Sequence, residues 1–196
     1  MQLDSRQDSQ MNAIPDDAAE PRGPATSRSI VRATEPQALT TRALEERRLI
    51  HRNDSARVQA DAFRDLRTRL LALRGDTNFV TLVAPVAAGC GASFVARNLA
   101  AAFAFDETKI ATLVDCDALH PAQHTALGLD AAGGGLMDYI EGTASDLQQV
   151  HYRTGLPRLY LVPGGSVREI TGESFSSLRM RTLIDSLRSS HSNRYV

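Results

Sequence analysis

Lysine is almost absent from this chain of 196 residues: among its 22 basic residues only Lys109 is a lysine, and the others are arginines. Cysteine is scarce too, and Cys90 and Cys116 alone cannot form a disulfide framework, which suits a reducing compartment. No run approaches the roughly 20 apolar residues that a membrane-spanning helix needs. The polar N-terminus lacks the apolar core of a secretory signal. These absences predict a cytoplasmic protein.

The chain also has no excess of charge of either sign. The formal net charge is −1, so the molecule as a whole has no strong electrostatic attraction for nucleic acid or for an anionic membrane. The chain is 42% hydrophobic and 23% charged, which is typical of one ordinary soluble domain. We therefore expect one globular domain without a nucleic-acid partner.

The composition changes near residue 55. The first 40 residues are rich in Asp, Ser, Gln, Pro and Ala and have no sustained apolar period, which predicts a disordered tail over 1–54 with a short helix over 38–50. The folded domain is expected over 55–196. It begins with a helix over 55–74 whose apolar residues recur at spacings of four and three, the pattern of a packed stripe. The stripe comprises Val58, Ala62, Leu66, Leu70 and Leu73.

Two apolar, β-branched runs at 78–84 and 109–115 are typical of strands covered on both faces. A glycine-rich turn and a helix over about 93–105 lie between them. Strand, helix and strand of these lengths form a βαβ unit, so the predicted fold class is α/β with a doubly wound parallel sheet. A third strand over 156–165 and a helix over 174–191 follow. That helix should bury Leu178, Leu183 and Leu187.

The glycine-rich turn has the layout of a phosphate-binding loop. Backbone N–H groups that curl at a helix N-terminus bind an anion, and glycines permit the curl. Against the pattern G-x-x-x-x-G-K-[ST], the segment 86–93 keeps Gly91 and Ser93 but has Val86 for the first glycine and Ala92 for the lysine.

Two aspartates, Asp115 and Asp117, follow the second strand, which places them beside this loop in a doubly wound sheet. Carboxylates one residue apart suit Mg²⁺ and the positioning of water. On these residues alone, a plain turn followed by solvated aspartates is the alternative.

Four segments in order, "DAFRDLRTRL", "GCGAS…NLA", "LVDCDALHPAQHTALGL" and "GLMDYIEGTASDLQQV", resemble the cytoplasmic domain of bacterial tyrosine autokinases (BY-kinases of the CpsD/CapB type). Those proteins control the synthesis and export of capsular polysaccharide and exopolysaccharide. The resemblance runs from about residue 56 to the end. It implies a P-loop NTPase-like domain that uses ATP and Mg²⁺, a membrane polysaccharide co-polymerase (chain-length regulator) as partner, and a peripheral location at the inner membrane.

The family's loop ends in G-x-G-K-[ST], and its second strand ends in D-x-D. The resemblance implies a metal-binding role for Ser93 and Asp115 and catalytic roles for Asp115 and Asp117. It implies that nucleotide is bound by Gly89, Cys90, Gly91, Ala92 and Ser93.

The family's helix segment E-x-x-R-x-x-R is matched by Asp61, Arg64 and Arg67, with Asp in place of Glu. The match implies a subunit–subunit contact in a homo-oligomer. Without the resemblance, an ion pair on a solvated helix face is the simpler interpretation.

The positions at which the chain departs from the family pattern determine how much of the family's function is expected here. Ala92 removes the loop lysine, and the arginine that often follows the D-x-D falls on Leu119. The strand that ends in the Walker B aspartate and the tyrosine-rich tail do not follow, so we expect a fragment or a degenerate, truncated member carrying the N-terminal half of the domain. The predicted function is a regulatory role in exopolysaccharide synthesis, with weak or absent ATP-dependent phosphotransfer.

Two other functions stay open. An active ATP-dependent protein-tyrosine kinase would need a substitute cation, for which Arg97, one turn beyond Ser93, is the candidate. A dinucleotide-binding domain would use Gly89 and Gly91 in a G-x-G-x-x-G motif, although Phe94 occupies the third glycine position.

Overall fold

The computed structural model describes residues 38–51, 57–75, 77–167, 169, 172–189 and 192–196; of the tail predicted over 1–54, residues 1–37 and 52–54 lie outside them. The described helices are α1 Thr41–Glu46, α2 Arg57–Arg74, α3 Ala92–Ala104, α4 Gln123–Leu127, α5 Leu136–Glu141, α6 Gly172–Ser176 and α7 Leu178–Ser189, with a 3₁₀ turn at Leu147–Gln149. The described strands are β1 Ile110–Val114, β2 Tyr152–Arg153, β3 Leu159–Val162 and β4 Arg194–Tyr195.

The sheet has the order β2-β3-β1-β4. Strand β1 pairs in parallel with both neighbours, so that Ala111 lies opposite Leu159 on β3 and opposite Tyr195 on β4. Strand β2 pairs antiparallel with β3. The predicted α/β class with a mainly parallel sheet is therefore confirmed.

Hydrophobic clusters lie on both faces of this sheet. Leu159 and Leu161 of β3 belong to the cluster that includes residues of α1, α2 and α3, whereas Val162 belongs to a second cluster with Leu183 and Leu187 of α7. Because successive side chains of a strand point to opposite faces, one short strand joins both clusters. The two burials predicted for α7 at Leu183 and Leu187 are confirmed.

The first predicted strand is extended but is paired only in part. The Thr81 N–H donates to the Val196 carbonyl (2.8 Å), and the Val196 N–H donates to the Phe79 carbonyl (3.2 Å). Phe79 is buried against Phe103, yet Leu82 is 83% exposed. The expectation of cover on both faces was wrong, because Val80 is already 40% exposed, and the backbone hydrogen bonds to Val196 come from Phe79 and Thr81.

Helix α2 forms as predicted but packs through another face. Val58 and Leu73 of the predicted stripe are 87% and 79% exposed, while Ala60 and Phe63 are buried. The Phe63 ring meets that of Phe94 edge-on, with centroids 6.0 Å apart. The prediction of a helix was correct, but the predicted buried face was wrong. Apolar residues lie on two faces of α2, and Phe94 of α3 packs against the face that carries Phe63. Leu178 of α7 is likewise exposed, at the first residue of its helix.

Residues 38–51 pack against the domain, although the composition assigned them to the tail. The short helix predicted there is α1, capped by Thr40. After it, Leu49 and Ile50 are buried. The Ile50 N–H donates to Asn98 Oδ1 (2.7 Å), and Asn98 Nδ2 donates to the Arg48 carbonyl (3.0 Å). The packed domain therefore begins before residue 55.

Within the described residues, none of the helices combines the length and the apolar character needed to cross a bilayer.

Candidate functional site

The glycine-rich turn leads directly into α3, as the sequence predicts. Gly91 is the N-cap of α3 with a φ of 90°, and Gly89 has a φ of 72°. Side chains rarely adopt this left-handed conformation, and glycine does so freely. Open space surrounds the position of a Cβ at both glycines, so the backbone conformation, rather than crowding, calls for glycine. The loop over 86–91 is exposed, which leaves its backbone accessible to a ligand.

Cys90 lies between the two glycines, and the backbone of the loop acts on its thiol. Hydrogen bonds from the backbone of Ala87, Val86 and Ala92 lower the pKa of Cys90 because they stabilise its thiolate. A helix N-terminus preceded by glycines of positive φ is the backbone arrangement found in phosphate loops. The loop therefore has a backbone conformation compatible with an anion, while the side chain of Ala92 adds no charge.

Asp115 is buried, and both of its carboxylate oxygens accept backbone hydrogen bonds. Oδ1 accepts from the Asp117 N–H (3.2 Å), and Oδ2 accepts from the N–H groups of Ala122 and Gln123 (3.0 Å each). Burial raises the pKa of Asp115, and these donors oppose the rise. The carboxylate thus holds the start of α4, a structural role that the sequence did not indicate.

Asp117 is exposed and accepts a hydrogen bond from the His120 N–H at Oδ1 (2.9 Å). The two candidate carboxylates therefore differ, since one is held by backbone donors and the other reaches solvent. In the described ranges no group of three or more His, Cys, Asp or Glu side chains could hold a metal ion. An ion here would need phosphate oxygens and water as ligands in addition to protein carboxylate, which is the usual coordination of Mg²⁺ at nucleotide sites.

Gln123 joins the loop to Asp115 and was not among the predicted site residues. Besides the backbone bond to Asp115, its buried side chain donates from Nε2 to the Ser93 carbonyl (3.2 Å) and accepts at Oε1 from Arg97 Nη1 (3.1 Å). The only signal for it in the sequence was its place shortly after the two aspartates, because amide side chains carry no motif of their own.

The three residues matched to the subunit-contact segment lie on α2, apart from the loop. Asp61 and Arg64 form an ion pair (2.9 Å) on the helix surface. Arg67 turns towards α3, where its Nη1 donates to the Ala102 carbonyl (2.9 Å). Asp61 and Arg64 therefore pair with each other at the surface of α2, and Arg67 is engaged within the chain.

We expect Cys90 to react with iodoacetamide at lower pH than Cys116. Backbone donors lower the pKa of Cys90, whereas desolvation, aided by the Asp115 carboxylate, raises the pKa of Cys116 to about 11 although that residue reaches solvent. As the pH rises, the Cys90 thiolate forms first, so its rate levels off while that of Cys116 still increases. Peptide mass spectrometry after timed alkylation measures both rates. The urea-unfolded chain is the control, and equal rates in the native chain contradict the prediction.

No protein-family model matches the chain. In sequence, 133 residues, or 67% of the chain, are 34% identical to a Ralstonia solanacearum protein named "Putative tyrosine-protein kinase EpsB". The protein of the same name from Ralstonia nicotianae is 33% identical over the same length. The chain spans 17% of the length of these relatives.

Solved kinase-domain structures share the fold. The kinase domain of Escherichia coli tyrosine kinase ETK superimposes with a TM-score of 0.64 at 23% identity, covering 82% of this chain and 65% of that one. The kinase domain of VpsO gives 0.59 at 22% identity, covering 70% and 68% of the two chains. The chimerical protein CapA2B2 gives 0.58 at 24% identity, covering 80% and 74%. These structures place the described residues in a common α/β fold.

Proposed function

We propose that this chain, which is BY-kinase-like in sequence and in fold, binds ATP with Mg²⁺ at the loop over 89–93, transfers phosphate weakly or not at all, and acts as a regulatory component of exopolysaccharide synthesis. The observation that carries the proposal is the pair of left-handed glycines, Gly89 and Gly91, that leads into the N-terminus of α3, together with Ala92 where a lysine would stand. Because the chain spans a small part of its curated relatives, the activity, substrates and partners of a whole relative are part of the proposal.

Electrostatics explains why the loop would bind nucleotide and yet transfer phosphate poorly. Backbone N–H groups and a helix N-terminus stabilise the phosphate charge that is already present in bound nucleotide. A lysine adds a charge-assisted hydrogen bond of about 1.5–3 kcal/mol, and its effect is greater on the charge that develops during transfer. Lys109 precedes β1, at the end of the sheet opposite the loop, so it does not compensate.

The residues present fit Mg²⁺ in part. An ionised carboxylate has about four lone-pair sites, and the carboxylate of Asp115 already accepts three backbone hydrogen bonds. One site is left to accept a hydrogen bond from a metal-bound water, and Ser93 would be the direct protein ligand. When bound, the ion would neutralise phosphate charge and favour the ionised form of Asp115.

We further propose a location at the cytoplasmic face of the inner membrane through a membrane polysaccharide co-polymerase. The support for this partner is the family resemblance. A homo-oligomer would use the surface ion pair of Asp61 and Arg64 on α2. Arg67, which donates to the Ala102 carbonyl, would stabilise the helix that presents this pair.

The dinucleotide-binding alternative meets a structural obstacle. Phe94 stands where that motif needs a third glycine for close packing of helix and strand. Its ring instead packs edge-on against Phe63 of α2.

Titration of the full chain with a fluorescent ATP analogue tests the proposal. We expect saturable binding that strengthens with Mg²⁺, together with tyrosine autophosphorylation at least about a hundredfold slower than in an Ala92→Lys variant. Gly91→Val should abolish binding, because a β-branched residue is strained at this φ and distorts the loop. Gly75→Val, also at positive φ but at the end of α2, is the matched control. Absence of nucleotide binding, or autophosphorylation equal to that of Ala92→Lys, contradicts the proposal.

A further inference from the structure

We propose that Arg97 contacts the phosphate groups of the nucleotide bound at this loop and supplies the positive charge that Ala92 lacks. The inference rests on the proposed nucleotide binding and adds the side chain that pairs with the anion. It makes Arg97 a binding residue and Gln123 the residue that positions it.

The position of the guanidinium follows from two hydrogen bonds of one glutamine. Arg97 lies one helical turn beyond Ser93, and side chains on a helix lean towards its N-terminus. Arg97 Nη1 donates to Gln123 Oε1 (3.1 Å), and the other end of the same amide donates to the Ser93 carbonyl (3.2 Å). The guanidinium is therefore held beside the first turn of α3, within one side chain of Ser93.

The charge of Arg97 is partly desolvated and has no counterion. Among the ion pairs of the described residues none involves Arg97, and its buried Nε lacks a hydrogen-bond partner. Burial lowers the pKa of Arg97, which shows that its surroundings disfavour the charged form relative to water. A partly desolvated charge without a counterion costs stability. A phosphate oxygen in contact with the guanidinium would provide that counterion.

Gln123 holds Arg97 without neutralising it. A glutamate at this position would form an ion pair with the guanidinium and cancel its charge, whereas a neutral amide orients the side chain and leaves the charge available. The backbone N–H of Gln123 also donates to Asp115 Oδ2 (3.0 Å). Gln123 thus contacts both Arg97, which would face phosphate, and Asp115, which would face Mg²⁺.

Binding of tripolyphosphate and of the fluorescent ATP analogue to the full chain tests this role. We expect Arg97→Ala to lower the affinity for both about tenfold and to weaken its salt dependence, because a charge-assisted contact is lost. Arg97→Lys should retain most of the affinity, and Gln123→Ala should lose less than Arg97→Ala. Arg181→Ala, which removes an exposed arginine of α7, is the matched control. The rise in melting temperature that tripolyphosphate produces, measured against the ligand-free form of each variant, should be smaller for Arg97→Ala than for the unmodified chain.

A double variant separates a lost charge from a disturbed structure. If Arg97 does the work of the missing lysine, Ala92→Lys should raise affinity more in the Arg97→Ala background than in the unmodified chain. Equal affinities of the unmodified chain and Arg97→Ala overturn this inference and leave the proposed function standing. No binding by the unmodified chain overturns both. Should Arg97→Ala fail to fold, Arg97→Gln, which keeps a hydrogen-bond donor without the charge, takes its place with the same expectations.

Discussion

Replacing Ala92 with lysine raises the affinity of the full chain for ATP–Mg²⁺ about tenfold to a hundredfold, the equivalent of one charge-assisted hydrogen bond to phosphate. Residue 92 is the first residue of α3, directly after Gly91, and it is only partly buried, so a lysine can enter without a clash in the core. The backbone of the loop stays unchanged, because only the side chain is added. Isothermal titration of both chains under one salt concentration measures the difference.

The control for this gain is Ala87→Lys. It adds the same charge to an exposed residue of the loop, before its two glycines, so it reports the general attraction of a cation for ATP. A comparable gain from both substitutions, or none from Ala92→Lys, contradicts the view that position 92 faces bound phosphate. Autophosphorylation in Ala92→Lys alone would show that the other parts of the transfer site are in place.

Replacing Asn98 with alanine lowers the free energy of unfolding by about 2–4 kcal/mol, because it leaves the buried Ile50 N–H without its acceptor, at about 1–3 kcal/mol, and removes two partly buried hydrogen bonds as well. Asn98 has no exposed surface. Its Oδ1 accepts from the Ile50 N–H, and its Nδ2 donates to the carbonyls of Arg48 and Phe94 (3.0 and 3.1 Å). The same side chain thus holds residues 38–51 against α3 and fills space in the core.

Urea denaturation followed by circular dichroism measures this loss, and limited trypsin digestion shows whether cleavage after Arg48 accelerates. Gln148→Ala, which truncates an exposed amide on the 3₁₀ turn, is the control. A change below about 0.5 kcal/mol for Asn98→Ala, the range of ordinary surface substitutions, would show that 38–51 contribute little to the fold.

Mutations of Asp115 and Asp117 report on different properties, because only Asp115 also holds the local backbone. Truncation of Asp115 removes the acceptor for three backbone N–H groups, so lost activity in such a variant would mix folding with chemistry. Asp117 is exposed and accepts from the His120 N–H. Asp117→Asn is therefore the cleaner test of a carboxylate in this site.

Local sequence patterns correctly predicted those helices, strands and turns that depend mainly on residues close together in the chain. The run before Asp115 is strand β1, the glycines of the loop adopt left-handed conformations, and α2 and α3 lie where the helical period places them. The order of these elements also predicted a parallel sheet, and β1 pairs in parallel with β3. Each of these features follows from residue type and spacing within a few positions, which the sequence records directly.

Contacts between distant segments required the tertiary structure. Which face of α2 is buried depends on Phe94 of α3, and the exposure of Leu82 depends on which segments pack over the run that precedes the loop. The placement of Gln123 between Ser93, Arg97 and Asp115 joins residues up to 30 positions apart through hydrogen bonds that leave no period or motif. The sequence by itself therefore determined the α/β order and a glycine-rich loop without lysine at the start of α3. Only the tertiary structure decided that Arg97 and Gln123 meet beside Ser93, because side chains from separate elements come together only when the chain is folded.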